Sequence, residues 1–371
     1  MKGMVRALAY AVVVCGLGTG LGAQIPSHIV PDEPSCARCT INIQTGIVLG
    51  DNSGPGAILG TPLAVSRDSR GRLWVVDGIE MPKVYDATGS FIREIGKRGR
   101  EPGQFIHPMD AIPVPGDSML MIDGDNRGTV VGPDLSIGRA ILLPLAPRPS
   151  VVLHWPDTVW ANGNIPSSEY VGLPIHVLSF ASDTARILAA FGPNGGELRA
   201  GGVDAIWQWI SVPRSRSVWT ANRVVYALTQ WDRMGSMRLE LIRRPSWFAG
   251  QSKFWMGNPE NAPPPMVAAV HEAEDGLVWV FVNVAAPRWV DAWASLRGEG
   301  AGEIAASQIA MEKLYITRVE VIDPKLGRVV ARTTLDSWVI GVVGDGRAAS
   351  VIRGKNGELR VRLSTLLLSR Q

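Results

Sequence analysis

The chain has 371 residues, with 37 Lys and Arg against 34 Asp and Glu and a formal charge of +3. Loss of Lys2 and Arg6 with a leader would lower that charge to +1. Such a near balance, with no basic run, excludes an electrostatic footprint for nucleic acid or anionic lipid.

The first residues read as a secretory signal peptide over 1–23. Lys2 and Arg6 form the charged start, Ala7 to Leu17 the apolar stretch, and Gly20-Leu21-Gly22-Ala23 the small-residue exit, with cleavage expected after Ala23. The apolar run is shorter than the roughly 20 residues of a spanning helix, and no later segment reads as membrane-spanning. The expected location is therefore periplasmic or extracellular. Cys15 leaves with the leader, so the segment 24–40 carries the two remaining cysteines, Cys36 and Cys39, in PSCARCT. In an oxidising compartment they are expected to pair. A redox dithiol or half of a metal site are the other readings, although a β-like run from Thr40 follows where a redox pair usually opens a helix.

From Pro62 onward one cadence recurs: a short apolar strand, a polar turn, and a second strand that often carries Trp before Asp or Asn. The copies span Pro62 to Asp77, Pro108 to Asp123, Pro149 to Asn162, Ile206 to Asn222, Pro265 to Asn283 and Ser337 to Arg353. Six strand pairs at roughly 40 to 70 residue spacing predict blades around an axis, an all-β six-bladed β-propeller over 41–371. Room for an outer strand pair follows the earlier copies: Lys83 to Asp86 with Phe91 to Gly96, and Thr129 to Val131 with Arg139 to Leu143. In the fifth copy the outer pair comes late, as Leu314 to Asp323 and Arg328 to Leu335. The sixth runs out of chain after one further strand, Glu358 to Leu368. Ile41 to Gly50 has no other partner, so it is expected to supply the missing outer strand and remove an open edge.

The stretch from Gly96 to Val131 resembles an NHL-type repeat of the NHL/TolB-like propellers. The residues that carry the likeness are Gly99-Arg100-Glu101-Pro102-Gly103-Gln104-Phe105, Pro108, and Asp123-Gly124-Asp125-Asn126-Arg127. The resemblance implies a six-bladed fold in which Asp123, Asn126 and Arg127 shape the turn between second and third strands. It covers about one blade. Its members range from ligand- and protein-binding modules to metal-assisted lactonases and lyases, so fold leaves function open.

Additions to the cadence fall in loops that share one face of a propeller. They are 245–264 before the fifth blade, 285–313 after its second strand, and Gly163 to Pro174 in the third blade. Loops on a rigid scaffold are where binding tends to reside. Trp255, Trp289 and Trp293, with Trp247, Phe248 and Phe254, offer rings to stack on a sugar, peptide or other apolar ligand. Trp289, Trp293 and Leu296 also recur at helical spacing, which equally fits an insert helix packing on the rim. His107 and Asp110 complete the ligand-binding candidates. The strand-end residues Asp77, Asp123 and Asn222 are candidate oxygen ligands for a divalent cation such as calcium, or ordinary turn-formers. No nucleophile elbow, His-Glu-x-x-His or phosphate loop is present. The leading expectation is an exported binding module for a small molecule, sugar, peptide or protein on the insert-bearing face. A metal-dependent lactonase- or lyase-like enzyme and an envelope-complex scaffold are the alternatives.

Overall fold

The computed structural model describes residues 25–50, 54–58, 60–78, 80–155, 158–165, 169–170, 172–192, 207–214, 217–249, 261–298 and 310–370. The first strands, β1 (Ser27–Val30) and β2 (Cys39–Leu49), precede the ring proper. Blade 1 holds β3 (Pro62–Arg67), β4 (Leu73–Asp77), β5 (Lys83–Tyr85) and β6 (Phe91–Glu94). Two short strands, β7 (Lys97–Arg98) and β8 (Gln104–Phe105), pair in the loop to blade 2. Blade 2 holds β9 (Pro108–Val114), β10 (Ser118–Asp123), β11 (Arg127–Val131) and β12 (Ile137–Leu142). Blade 3 holds β13 (Ala146–Trp155), β14 (Thr158–Asn164), β15 (Ile175–Ser179) and β16 (Arg186–Phe191). Blade 4 holds β17 (Gln208–Ile210), β18 (Ser217–Asn222), β19 (Ala227–Asp232) and β20 (Met237–Arg243).

Blade 5 starts with β21 (Met266–Glu272) and β22 (Val278–Ala285). After helices α1 (Trp289–Gly298) and α2 (Met311–Leu314), it resumes with β23 (Tyr315–Asp323) and β24 (Arg328–Leu335). Blade 6 holds β25 (Trp338–Val342), β26 (Ala348–Arg353) and β27 (Leu359–Arg370), with β2 as its outer strand. The molecule is thus an all-β six-bladed propeller with four-stranded blades. The expected closure is present: β2 runs antiparallel to β27, from Cys39 opposite Arg370 to Leu49 opposite Val361.

A twisted four-stranded sheet has two apolar faces and buries both only against neighbours. The core is accordingly divided into six clusters, one at each blade-to-blade interface. The recurring second-strand tryptophans occupy them: Trp74 lies between blades 1 and 2, Trp160 between 3 and 4, and Trp219 between 4 and 5, all fully buried.

The N-terminal segment does more than close the ring. β1 adds to blade 4 as a fifth strand, parallel to β20, and the backbone N–H of Ser35 then donates to Val329 O on the outer strand of blade 5. Cys36 and Cys39 form the expected disulfide, after which β2 joins blade 6. One stretch of chain therefore belts three blades.

Beneath the belt lies a buried ion pair. Arg243 and Glu320 have no exposed side-chain surface and meet at 2.7 Å. Arg243 also donates to Pro31 O (2.7 Å) and to Asp32 Oδ1 (3.0 Å), and the Tyr226 hydroxyl donates to Glu320 Oε2 (2.7 Å). Burial pushes the Tyr226 hydroxyl well above its usual range, and the Glu320 charge adds to the shift. Arg243→Met would leave the buried Glu320 carboxylate with only the more distant Arg332 (3.5 Å) as a cation among the described residues and should cost about 3 kcal/mol in denaturant unfolding. Arg238→Met, which breaks the exposed pair with Asp232, should cost no more than about 1 kcal/mol. Similar small losses for both would contradict this account of the clamp.

Candidate functional site

Each inner strand pairs on one side only, so six open strand edges face the axis. They enclose a cavity of about 440 Å³, within the range of small-molecule pockets. Its waist is a ring of β-branched side chains, one from each blade: Val65, Ile112, Val152, Ile210, Val270 and Ile340. All six are buried, and each also packs into the interblade core. Gly341 and Gly344 on blade 6 also line the space. A Cβ placed on either would meet nothing within 4 Å.

The polar groups are divided along the axis. Asp110 lies near the start of its inner strand, on the insert side of the waist, and its Oδ1 accepts from the N–H of Ala111. Ser66, Arg67, Ser211, Arg233 and His271 lie on the side of the turns that join first to second strands. Ser66 Oγ donates to Ala111 O, tying blade 1 to blade 2. Ser211 Oγ accepts from the N–H of Trp219 (3.0 Å). Arg67 meets Asp345 at 3.1 Å, and Arg347 meets the same carboxylate oxygen at 2.8 Å. Although burial raises it, the Asp345 carboxyl is held below its ordinary range by Arg347 and Arg67.

His271 stands apart. It is 8% exposed and lines the cavity, yet it has no hydrogen-bond partner among the described residues. Burial, with help from Arg214, depresses its pKa to about 4, against a small opposing pull from Asp345. It is therefore a neutral imidazole with one N–H to donate and one nitrogen to accept.

The other candidates take different places. His107 is exposed in the loop leading into blade 2, and its backbone N–H donates to Asp123 Oδ1 (2.8 Å). Asp123 Oδ2 accepts from Ile106 N–H (2.9 Å) and pairs with Arg127 (3.2 Å). Asp77 does the same in blade 1, accepting the Gly60 N–H at 2.9 Å. The approach is so close that a Cβ at Gly60 would lie 2.1 Å from Asp77 Oδ1. Asn222 Oδ1 accepts from Val224 and Val225 N–H in its own turn. These oxygens pin loops to strand ends, and among the described residues no group of three or more His, Cys, Asp or Glu is arranged to hold a metal ion.

Trp293 is 6% exposed and packs with Met266, Leu314, Tyr315 and Trp338, while Trp289 is half-buried against the same cluster. Met266 and Trp338 begin two inner strands, so the insert helix fastens to the ring near the insert-side end of the channel. Phe248 is buried and Trp247 partly so, against Tyr226. Trp255 and Phe254 lie outside the described residues. The sequence alone does not single out the channel interior or His271. The signal was present as one β-branched residue per inner strand, but a core strand carries the same pattern.

No family model and no curated protein matches the chain. Solved structures do. A member of the DUF4221 family from Bacteroides vulgatus aligns over 89% of this chain and 99% of its own, with TM-score 0.58 and 8% identity. A Bacteroides fragilis protein provisionally named as exported aligns over 92% and 99%, with TM-score 0.55 and 11% identity. At such identities the likeness concerns fold alone. Among the described residues no helix is long and apolar enough to cross a membrane.

A second buried imidazole gives a pH test of the ring. His176 is fully buried, its Nε2 faces Gly163 O at 3.3 Å, and burial lowers its pKa to about 4. The unfolded chain binds these protons near pH 6.5, so His176 and His271 should cost stability as pH falls from about 6.5 to 4. Glu272, pushed up by burial, acts with the opposite sign in that range, so the variant must be compared with wild type. His176→Leu should lose less stability than wild type between pH 7 and 4.5 in urea titrations. Equal losses would mean that the imidazole is protonated within the fold.

Proposed function

We propose that this protein is an exported propeller that binds a small molecule inside its central channel, entering from the face of the first-to-second-strand turns. The observation that carries the reading is the cavity itself: an apolar waist with His271, a neutral imidazole without a hydrogen-bond partner among the described residues, beside it. Specific small-molecule sites combine a mostly apolar lining with a few placed polar groups. Export is supported by the leader-like residues 1–23 and by the disulfide, a bond favoured outside the cytosol.

The described parts of the aromatic inserts pack onto the ring, which favours the channel over the insert-bearing face as the binding surface. Kinship with the NHL kind is supported in blade 2, where Arg127 donates to the carbonyls of Gly99, Arg100 and Gln104. Those contacts knit the quoted motif into one unit.

Gly341 supplies the test, because it lines the cavity and a Cβ there would meet no neighbour within 4 Å. Calorimetric titration with 1-octanol, octanoate and octylamine should show one-to-one binding of at least one probe. Gly341→Phe, with its fold checked by circular dichroism, should abolish it. Binding that survives Gly341→Phe, or no binding of any probe, would contradict the reading.

A further inference from the structure

We propose that the channel selects an apolar molecule ending in a single carboxylate, with the acid group at the turn-face mouth beside His271, Arg67 and Arg233 and the apolar body across the β-branched waist. This inference rests on the channel-binding reading and specifies its ligand class.

The channel changes polarity along its axis. The side chains at the waist are apolar, which favours an apolar body for the portion of ligand crossing it, with only the backbone groups of the open strand edges there to meet a polar one. Of the charged residues lining the cavity, the acidic one, Asp110, is on the insert side of the waist, and both arginines are on the turn side. Arg67 and Arg347 share the one carboxylate of Asp345, which leaves that cluster with an excess of positive charge. Arg214, the first charge acting on His271, pairs with an exposed Glu274 at 3.7 Å and also acts on the buried Glu272. An anionic end is therefore favoured at the mouth and disfavoured beyond the waist, and an ammonium end the reverse.

His271 supplies direction as well as field. Its ring is packed against blade 6, where a Cβ at Gly346 would lie 2.8 Å from Nε2. Gly346 has φ +87°, a conformation that glycine adopts without strain, so the turn brings bare backbone to the imidazole. The imidazole is partly open to the cavity, so a ligand oxygen there can accept from its N–H. A carboxylate fits best, since it accepts only and charge-assisted bonds are the stronger kind.

The three eight-carbon probes separate the possibilities. Octanoate should bind at least about tenfold more tightly than 1-octanol or octylamine, the difference expected of one hydrogen bond to a charged group. His271→Phe, which removes the donor, should weaken octanoate about tenfold and 1-octanol by less, and His271→Gln, which keeps an N–H, should recover part of the loss; two variants guard against one that fails to fold. Raising the salt concentration should weaken octanoate alone. Equal binding of octanoate and 1-octanol, or preference for octylamine, with Gly341→Phe still abolishing both, would overturn the carboxylate inference while the channel site stands. Binding insensitive to Gly341→Phe would overturn the channel reading itself.

Discussion

Ring closure by β2 against β27 is the constraint on which the rest depends. A propeller buries its apolar faces only between neighbouring blades, and a chain that merely ended after its last blade would leave one such interface held from one side. Here that interface contains Leu49 and Ile58 from the start of the chain, Val65, Leu73 and Tyr85 from blade 1, and Val361 and Leu363 from β27. Pairing the chain's first long strand with its last makes the interface between blades 6 and 1 as continuous as the others, and it hides a strand edge that would invite aggregation. Because the six inner strands are held at fixed spacing only in a closed ring, the channel between them is a product of the same pairing.

The belt reinforces that closure at a second point. Between β1 on blade 4 and β2 on blade 6, the chain presents Val30 O, Pro31 O and Asp32 to Arg243, whose charge is balanced by Glu320 of blade 5. A buried pair of this kind adds little net stability over a well-packed apolar alternative, but its loss on one side is severe. Its role is better described as registry: it fixes how the belt lies across blades 4 and 5. The Cys36–Cys39 disulfide then joins the two ends of a tight bend immediately before β2. That position agrees with a structural disulfide and gives no helix N-terminus of the sort that activates a thiol.

Much of this architecture was legible in the sequence because strands announce themselves by period and propellers by repetition. The six strand pairs, the outer partners in blades 1, 2 and 5, and the closing strand follow from the cadence and from the one β-run left without a partner. β1 was not legible. Four residues, Ser27 to Val30, carry too little pattern to indicate a parallel partner more than 200 residues away. The site was legible only in part. Trp289 and Trp293 drew attention to the insert-bearing face, but an inserted helix must bury its apolar stripe, and the ring is what it buries against. Strand-end Asp and Asn resemble metal ligands as types, yet Asp77 and Asp123 spend their oxygens on backbone amides. The residue that matters most to the proposed site, His271, reads in sequence as an unremarkable histidine before a turn. Its place on the cavity wall, against Gly346 of blade 6, is visible only in the fold.

The central claim is that the closed ring holds a ligand site in its channel and not on its insert-bearing rim. Hydrogen exchange of the backbone, with and without saturating octanoate, tests this most directly, since bound ligand slows exchange where it contacts or rigidifies the fold. The account predicts slowed exchange in the inner-strand segments 63–67, 209–213, 268–271 and 340–344, with the inserts unchanged. Protection confined to 261–265 and 286–298, with the inner strands unaffected, would contradict it.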